Sequence, residues 1–92
     1  MPAGRALAAL GYEQITGLTV SKGLNIPPST SLAVIVAEGA AVRYRDDGVG
    51  PTAAIGMPLA AGTILMYDIG QFPRLRFIEQ AATAKLNVSY YG

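Results

Sequence analysis

The chain has no cysteine, no histidine and no tryptophan. Without cysteine it has neither a disulfide framework nor a thiolate metal site, and without histidine it loses the commonest general base near neutral pH and the commonest neutral metal ligand. Most catalytic constellations go with those two residues. Charge is scarce as well: 14% of residues are charged, where an average domain has roughly 25%. Seven Lys and Arg stand against six Asp and Glu, a net charge of +1, so no basic stripe for nucleic acid and no charged tail can be drawn from the sequence.

What remains is apolar. The 92 residues suit one domain, and 51% of them are hydrophobic. Fifteen are alanine; the larger ones are mainly Val, Ile, Leu and Met, with five tyrosines and two phenylalanines, a composition that suits packed sheets. Mean hydropathy is +0.35. A chain this short has much surface for its volume, so part of that apolar material is expected to face other protein chains.

The hydropathy does not describe a membrane span. Residues 48–67 carry no charge, but Gly48, Gly50, Pro51, Gly56, Pro58 and Gly62 would interrupt a helix repeatedly. Near the N-terminus the apolar run at residues 6–10 is shorter than a signal-peptide core, and synthesis in the cytoplasm without export is the expectation.

The apolar period is two. Leu86, Val88 and Tyr90 alternate with Lys85, Asn87, Ser89 and Tyr91, which predicts a strand with the first set buried. Leu75 and Phe77 alternate with Arg74 and Arg76, and Val42 and Tyr44 with Arg43 and Arg45, placing each pair of arginines on an outer face. Residues 32–37 are apolar throughout, as in a central strand covered on both faces. Pro27-Pro28, Glu38-Gly39, Asp46-Asp47-Gly48, residues 60–62 and residues 70–73 punctuate the chain, with further strands expected at residues 16–26, 52–57 and 63–68. The result is an all-β fold: a single compact β-sandwich or jelly roll of seven to eight short strands over residues 12–92. Residues 1–11 read as an N-terminal arm, with one or two marginal helical turns ending at Gly11, that orders against a partner through Leu7 and Leu10.

No site chemistry emerges from these residues. Asp46, Asp47 and Asp68 lack the alternating oxygens of a calcium loop, and adjacent aspartates before a glycine are ordinary turn chemistry. The arginines Arg43, Arg45, Arg74 and Arg76 offer a basic face for a carboxylate or phosphate, or simply pair with Asp46, Asp47 and Glu79. Tyr90 and Tyr91 fall on opposite faces and cannot form one sugar-stacking platform; Tyr90 reads as core and Tyr91 as an interface residue. No catalytic residue, metal or cofactor is expected. A carbohydrate-binding module lacks a clear aromatic pair, and a jelly-roll enzyme of the cupin type lacks its histidines.

The segments Val42-Arg43-Tyr44-Arg45-Asp46-Asp47-Gly48, Pro51-Thr52-Ala53, Gly56-Met57, Leu59-Ala60-Ala61-Gly62, Arg76-Phe77-Ile78 and Leu86-Asn87-Val88-Ser89-Tyr90-Tyr91 resemble small structural proteins of tailed bacteriophages. The resemblance covers about half the chain, from Val42 onward. It implies a β module repeated on a virion and assembled in the bacterial host cytoplasm. Its expected role is capsid decoration or cement, as a homotrimer on the major capsid protein; the alternative is a neck, tail or fibre component acting as an adaptor or as a receptor- or carbohydrate-binding module. Neither nucleic acid nor membrane is among the expected partners. The contact residues expected from the chain itself are Leu7, Leu10, Arg43, Arg45, Arg74, Arg76 and Tyr91.

Overall fold

The computed structural model describes residues 7–68 and 74–92. Among these it has seven strands: β1 (Ala9–Ile15), β2 (Leu32–Glu38), β3 (Val42–Arg45), β4 (Met57–Leu59), β5 (Ile64–Asp68), β6 (Arg76–Glu79) and β7 (Lys85–Tyr91). They form a four-stranded sheet in the order β1-β7-β2-β5 and a three-stranded sheet in the order β4-β3-β6, with every pairing antiparallel. The expected all-β sandwich is what the chain adopts.

Alternation builds its core. From the four-stranded sheet, Ile15, Ala33, Ile35, Ala37, Leu86, Val88 and Tyr90 point inward, meeting Val42, Leu59 and Phe77 of the other sheet. Leu18, Leu75 and Ala84 close the ends of this layer from the connections. The two tyrosines Tyr44 and Tyr67 meet edge to face across the sheets, with ring centroids 6.3 Å apart.

Three segments depart from the sequence-based expectation. The first strand is Ala9–Ile15, not residues 16–26. Gly17 takes a φ of +68°, and the turn lets Ile15 and Leu18, three positions apart, both enter the core, which breaks the alternation a strand would need. Further on, this segment makes only an isolated bridge between Lys22 and Phe77. Residues 52–56 form a turn: Thr52 and Ile55 exchange backbone bonds of 2.8 and 3.2 Å, and the Thr52 hydroxyl accepts from the Ile55 N–H at 2.9 Å, so pairing starts only at Met57. Finally, Ala9, Leu10 and Gly11 are strand and not helical arm. Ala8 exchanges two 2.9 Å backbone bonds with Gly92, and Ala9 is in register with Tyr91, because the end of β7 offers a ladder that a free helix of alanines cannot match. Residues 1–6 of the expected arm, and the expected turn at residues 70–73, lie outside the described residues.

The uniformly apolar run in β2 is central, between β7 and β5, as expected. It is fully covered on one face only: Ala33, Ile35 and Ala37 are buried, whereas Leu32, Val34 and Val36 are half-buried.

Candidate functional site: the two outer faces of the sandwich

Two surfaces hold the side chains that sequence reading singles out. The first is the outer face of the three-stranded sheet. β3 and β6 are neighbours with Arg45 opposite Arg76 and Arg43 opposite Ile78, so the arginines do come together. Each also holds part of its own chain. Arg43 donates to the carbonyls of Ala53 at 3.1 Å and Gly56 at 2.8 Å, securing the turn before β4. Arg45 forms a two-pronged pair with Asp47, Nε to Oδ1 at 3.1 Å and Nη2 to Oδ2 at 2.5 Å. Arg74 reaches the Asp47 carbonyl at 3.4 Å, and Arg76 donates to the Ser21 carbonyl at 2.9 Å and to its hydroxyl.

The Arg45–Asp47 pair shifts both of its members. The hydrogen bond from Arg45 holds the Asp47 carboxyl below its ordinary range, and the same bond raises the Arg45 guanidinium. Both are solvent-exposed, so the pair fixes the geometry of the turn more than it stabilises the fold. Gly48 closes this turn with a φ of +85°. Beside it lies an open depression of about 250 Å³ lined by Arg45, Asp46, Asp47, Ile55, Gly56 and Met57. Asp46 is engaged too, accepting from the Tyr67 hydroxyl at 2.6 Å. Among the described residues no three Asp or Glu side chains gather in a group able to hold a metal ion.

The second surface is the outer face of the four-stranded sheet, and register divides it in two. Strand pairing lines up Tyr12, Ser89, Val34 and Met66 in one row across the sheet, and Gln14, Asn87, Val36 and Ile64 in the next. The β1–β7 half is polar. Asn87 accepts from the Tyr12 hydroxyl and from Gln14 at 3.2 Å, and donates to Glu38 at 2.7 Å. The β2–β5 half presents Leu32, Val34, Val36, Ile64 and Met66, with Glu38 at one end and Asp68 at the other, and Ile64 and Met66 are 60% and 62% exposed. Nothing among the described residues covers them.

Of the other expected contact residues, Leu7 and Leu10 are exposed near the junction of β1 and β7, and Tyr91 is half-buried on the last strand, its neighbours in register being Ala9 and Leu32. Tyr90 is core, as its alternation predicts. Ile64 and Met66 escape a reading of the sequence alone because residues 64–67 are apolar at every position, which hides which face is open. The signal was there in the 20 charge-free residues 48–67, which end in a strand that has no second neighbour among the described residues.

No family model matches this chain, and no curated protein and no solved structure is similar to it.

Proposed function

We propose that the chain is a non-enzymatic structural subunit that works by being held against other protein chains. The observation that carries this reading is the apolar half of the outer sheet face, where Ile64 and Met66 stand exposed beside half-buried Val34 and Val36 in a domain that already has a core between its sheets. Monomeric proteins rarely expose a contiguous apolar patch larger than roughly a few hundred Å² without a partner. A second observation supports it: Arg43, Arg45, Arg76, Asp46 and Asp47 are all bonded to groups of their own chain.

The assembly we propose is a bacteriophage virion, with the chain decorating or cementing the outer capsid lattice as a homo-oligomer. This part rests on the resemblance of residues 42–91 to virion structural proteins. The test is co-sedimentation of purified protein with phage capsids that lack it, beside phage tails as the competing target. Saturable binding to capsids supports the decoration role; binding to tails alone moves the subunit to the neck, tail or fibre; binding to neither overturns the virion assignment.

A further inference from the structure

Each sheet ends in two edge strands, and three of the four carry a device that keeps another strand from pairing with them. β1 has a register irregularity between Ala9 and Gly11 and an inward-pointing carboxylate, Glu13, bonded to buried Tyr90. β4 is three residues long with Pro58 in its middle. β6 is covered by the segment that follows β1: Lys22 and Phe77 exchange two backbone bonds of 2.8 Å, and the Glu79 N–H donates to the Leu18 carbonyl at 2.8 Å.

β5 has none of these devices. Its register with β2 is unbroken from Ile64 to Asp68, it contains no proline, and Asp68 at its end is its only charge. Among the described residues no backbone group outside β2 bonds to it. In an antiparallel ladder alternate residues turn their N–H and C=O away from the neighbouring strand. Among the described residues β5 therefore has donors and acceptors without a backbone partner, beside the exposed side chains of Ile64 and Met66.

We propose that β5 pairs antiparallel with β5 of a second copy, joining the two four-stranded sheets into one of eight strands. The proposal rests on the reading of the chain as an assembly subunit and names the contact that it uses. An antiparallel strand meeting its own copy is self-complementary about a two-fold axis. The position of the one charge on β5 suits a second copy as the occupant. With the axis at Leu65, Ile64 lies opposite the partner's Met66 on the outer face, forming two apolar cross-strand pairs. The two Asp68 carboxylates fall at opposite ends of the ladder, about 20 Å apart along the strands, so like charges never meet. Such an interface closes at two subunits, in contrast to the trimer that the virion resemblance implies.

The experiment is analytical ultracentrifugation of the full chain and of the double variant Ile64→Lys/Met66→Lys, with circular dichroism to show that the variant keeps its sheet content. The parent is expected to be dimeric. The variant, with lysines facing lysines across the axis, is expected to dissociate at least tenfold more readily. An independent readout uses the cysteine-free background: chains carrying Ile64→Cys and chains carrying Met66→Cys, mixed and oxidised, should crosslink faster than either alone. A trimer, or any oligomer that the lysines leave intact and the cysteines do not crosslink, overturns the β5 contact while the assembly reading stands. A monomer that nevertheless binds capsids or tails has the same meaning. A monomer that binds neither overturns both.

Discussion

The hydroxyl of Tyr90, on a side chain only 1% exposed, donates to the carboxylate of Glu13, which the β1–β7 pairing places on the inner face of the sheet. The same carboxylate accepts from the Asn25 backbone N–H and side-chain amide, both at 2.9 Å. One acidic side chain thus satisfies a buried phenol and anchors the connection that leads from β1 toward β2. Replacing Glu13 with alanine strands these donors at a cost of about 2 kcal/mol, or roughly 10 °C in Tm for a domain of this size. Glu13→Gln keeps an acceptor and should lose less. Thermal melts of the two variants check this, and equal losses would show that the acceptor is not what matters.

Alkaline pH should unfold the protein through the same tyrosine. Burial, then the hydrogen bond and charge of Glu13, push the Tyr90 phenol well above its ordinary value of 10.0; burial and Asp46 do the same to Tyr67. Both groups have folded values above their unfolded ones, so their contribution is fully present below pH 10 and falls as pH rises from there, where the unfolded chain ionises and the folded one does not. Urea melts between pH 8 and 11 should show a decline that Tyr90→Phe makes shallower. An unchanged slope in that variant would assign the decline to other groups.

The strand that the sequence describes best gives the most severe substitution. Val88 is fully buried among Ile35, Leu86 and Tyr90, and Val88→Asp puts an unpaired carboxylate there at several kcal/mol, comparable to the whole stability of a small domain. Loss of the folded sheet signal in circular dichroism is expected. A variant that melts within a few degrees of the parent would contradict the register of β7.

That register was legible because Leu86, Val88 and Tyr90 alternate with polar residues, and the same holds for Leu75 and Phe77 between arginines. Local alternation encodes a strand whose two faces meet different surroundings. It fails where both faces are apolar, as at Ile64 to Tyr67, and where tertiary contacts decide, as at Ala9 to Gly11, whose small side chains carry no period but whose backbone completes the ladder of β7. It also overlooks turns that imitate strands: residues 52–57 lie between two prolines like a strand, yet the Thr52 hydroxyl folds them back on themselves. The arginine face was half legible. Alternation put Arg43, Arg45 and Arg76 outward, but which carbonyls they would hold depends on loops that no periodicity describes.

Arg43 gives the cleanest test of that last point. Its guanidinium spans two carbonyls, Ala53 and Gly56, with separate nitrogens of one rigid fork, which a lysine ammonium cannot reproduce. Both Arg43→Ala and Arg43→Lys should lower stability by about 1 kcal/mol and speed hydrogen exchange at the Ile55 amide, while the amides of β2 and β7 keep their protection. If lysine restores parent-like exchange, charge and not the fork secures the turn.

Removal of residues 2–10 tests where the subunit begins. Without these residues the chain enters β1 only at Gly11 and loses the two bonds between Ala8 and Gly92 and the register pair Ala9 with Tyr91. It also exposes the end of β7 to water, where Leu10 now lies against Gly92. Two backbone bonds at about 1 kcal/mol each predict a loss of roughly 10 °C in Tm. A chain lacking only residues 2–6 keeps all of these contacts and should melt above the longer truncation. The two deletions separate the contribution of residues 7–10, which hold the end of β7, from that of residues 2–6. If the longer truncation also melts like the parent, the β1 ladder contributes nothing before Gly11, and Leu7 and Leu10 return to being contacts made only with a neighbouring chain.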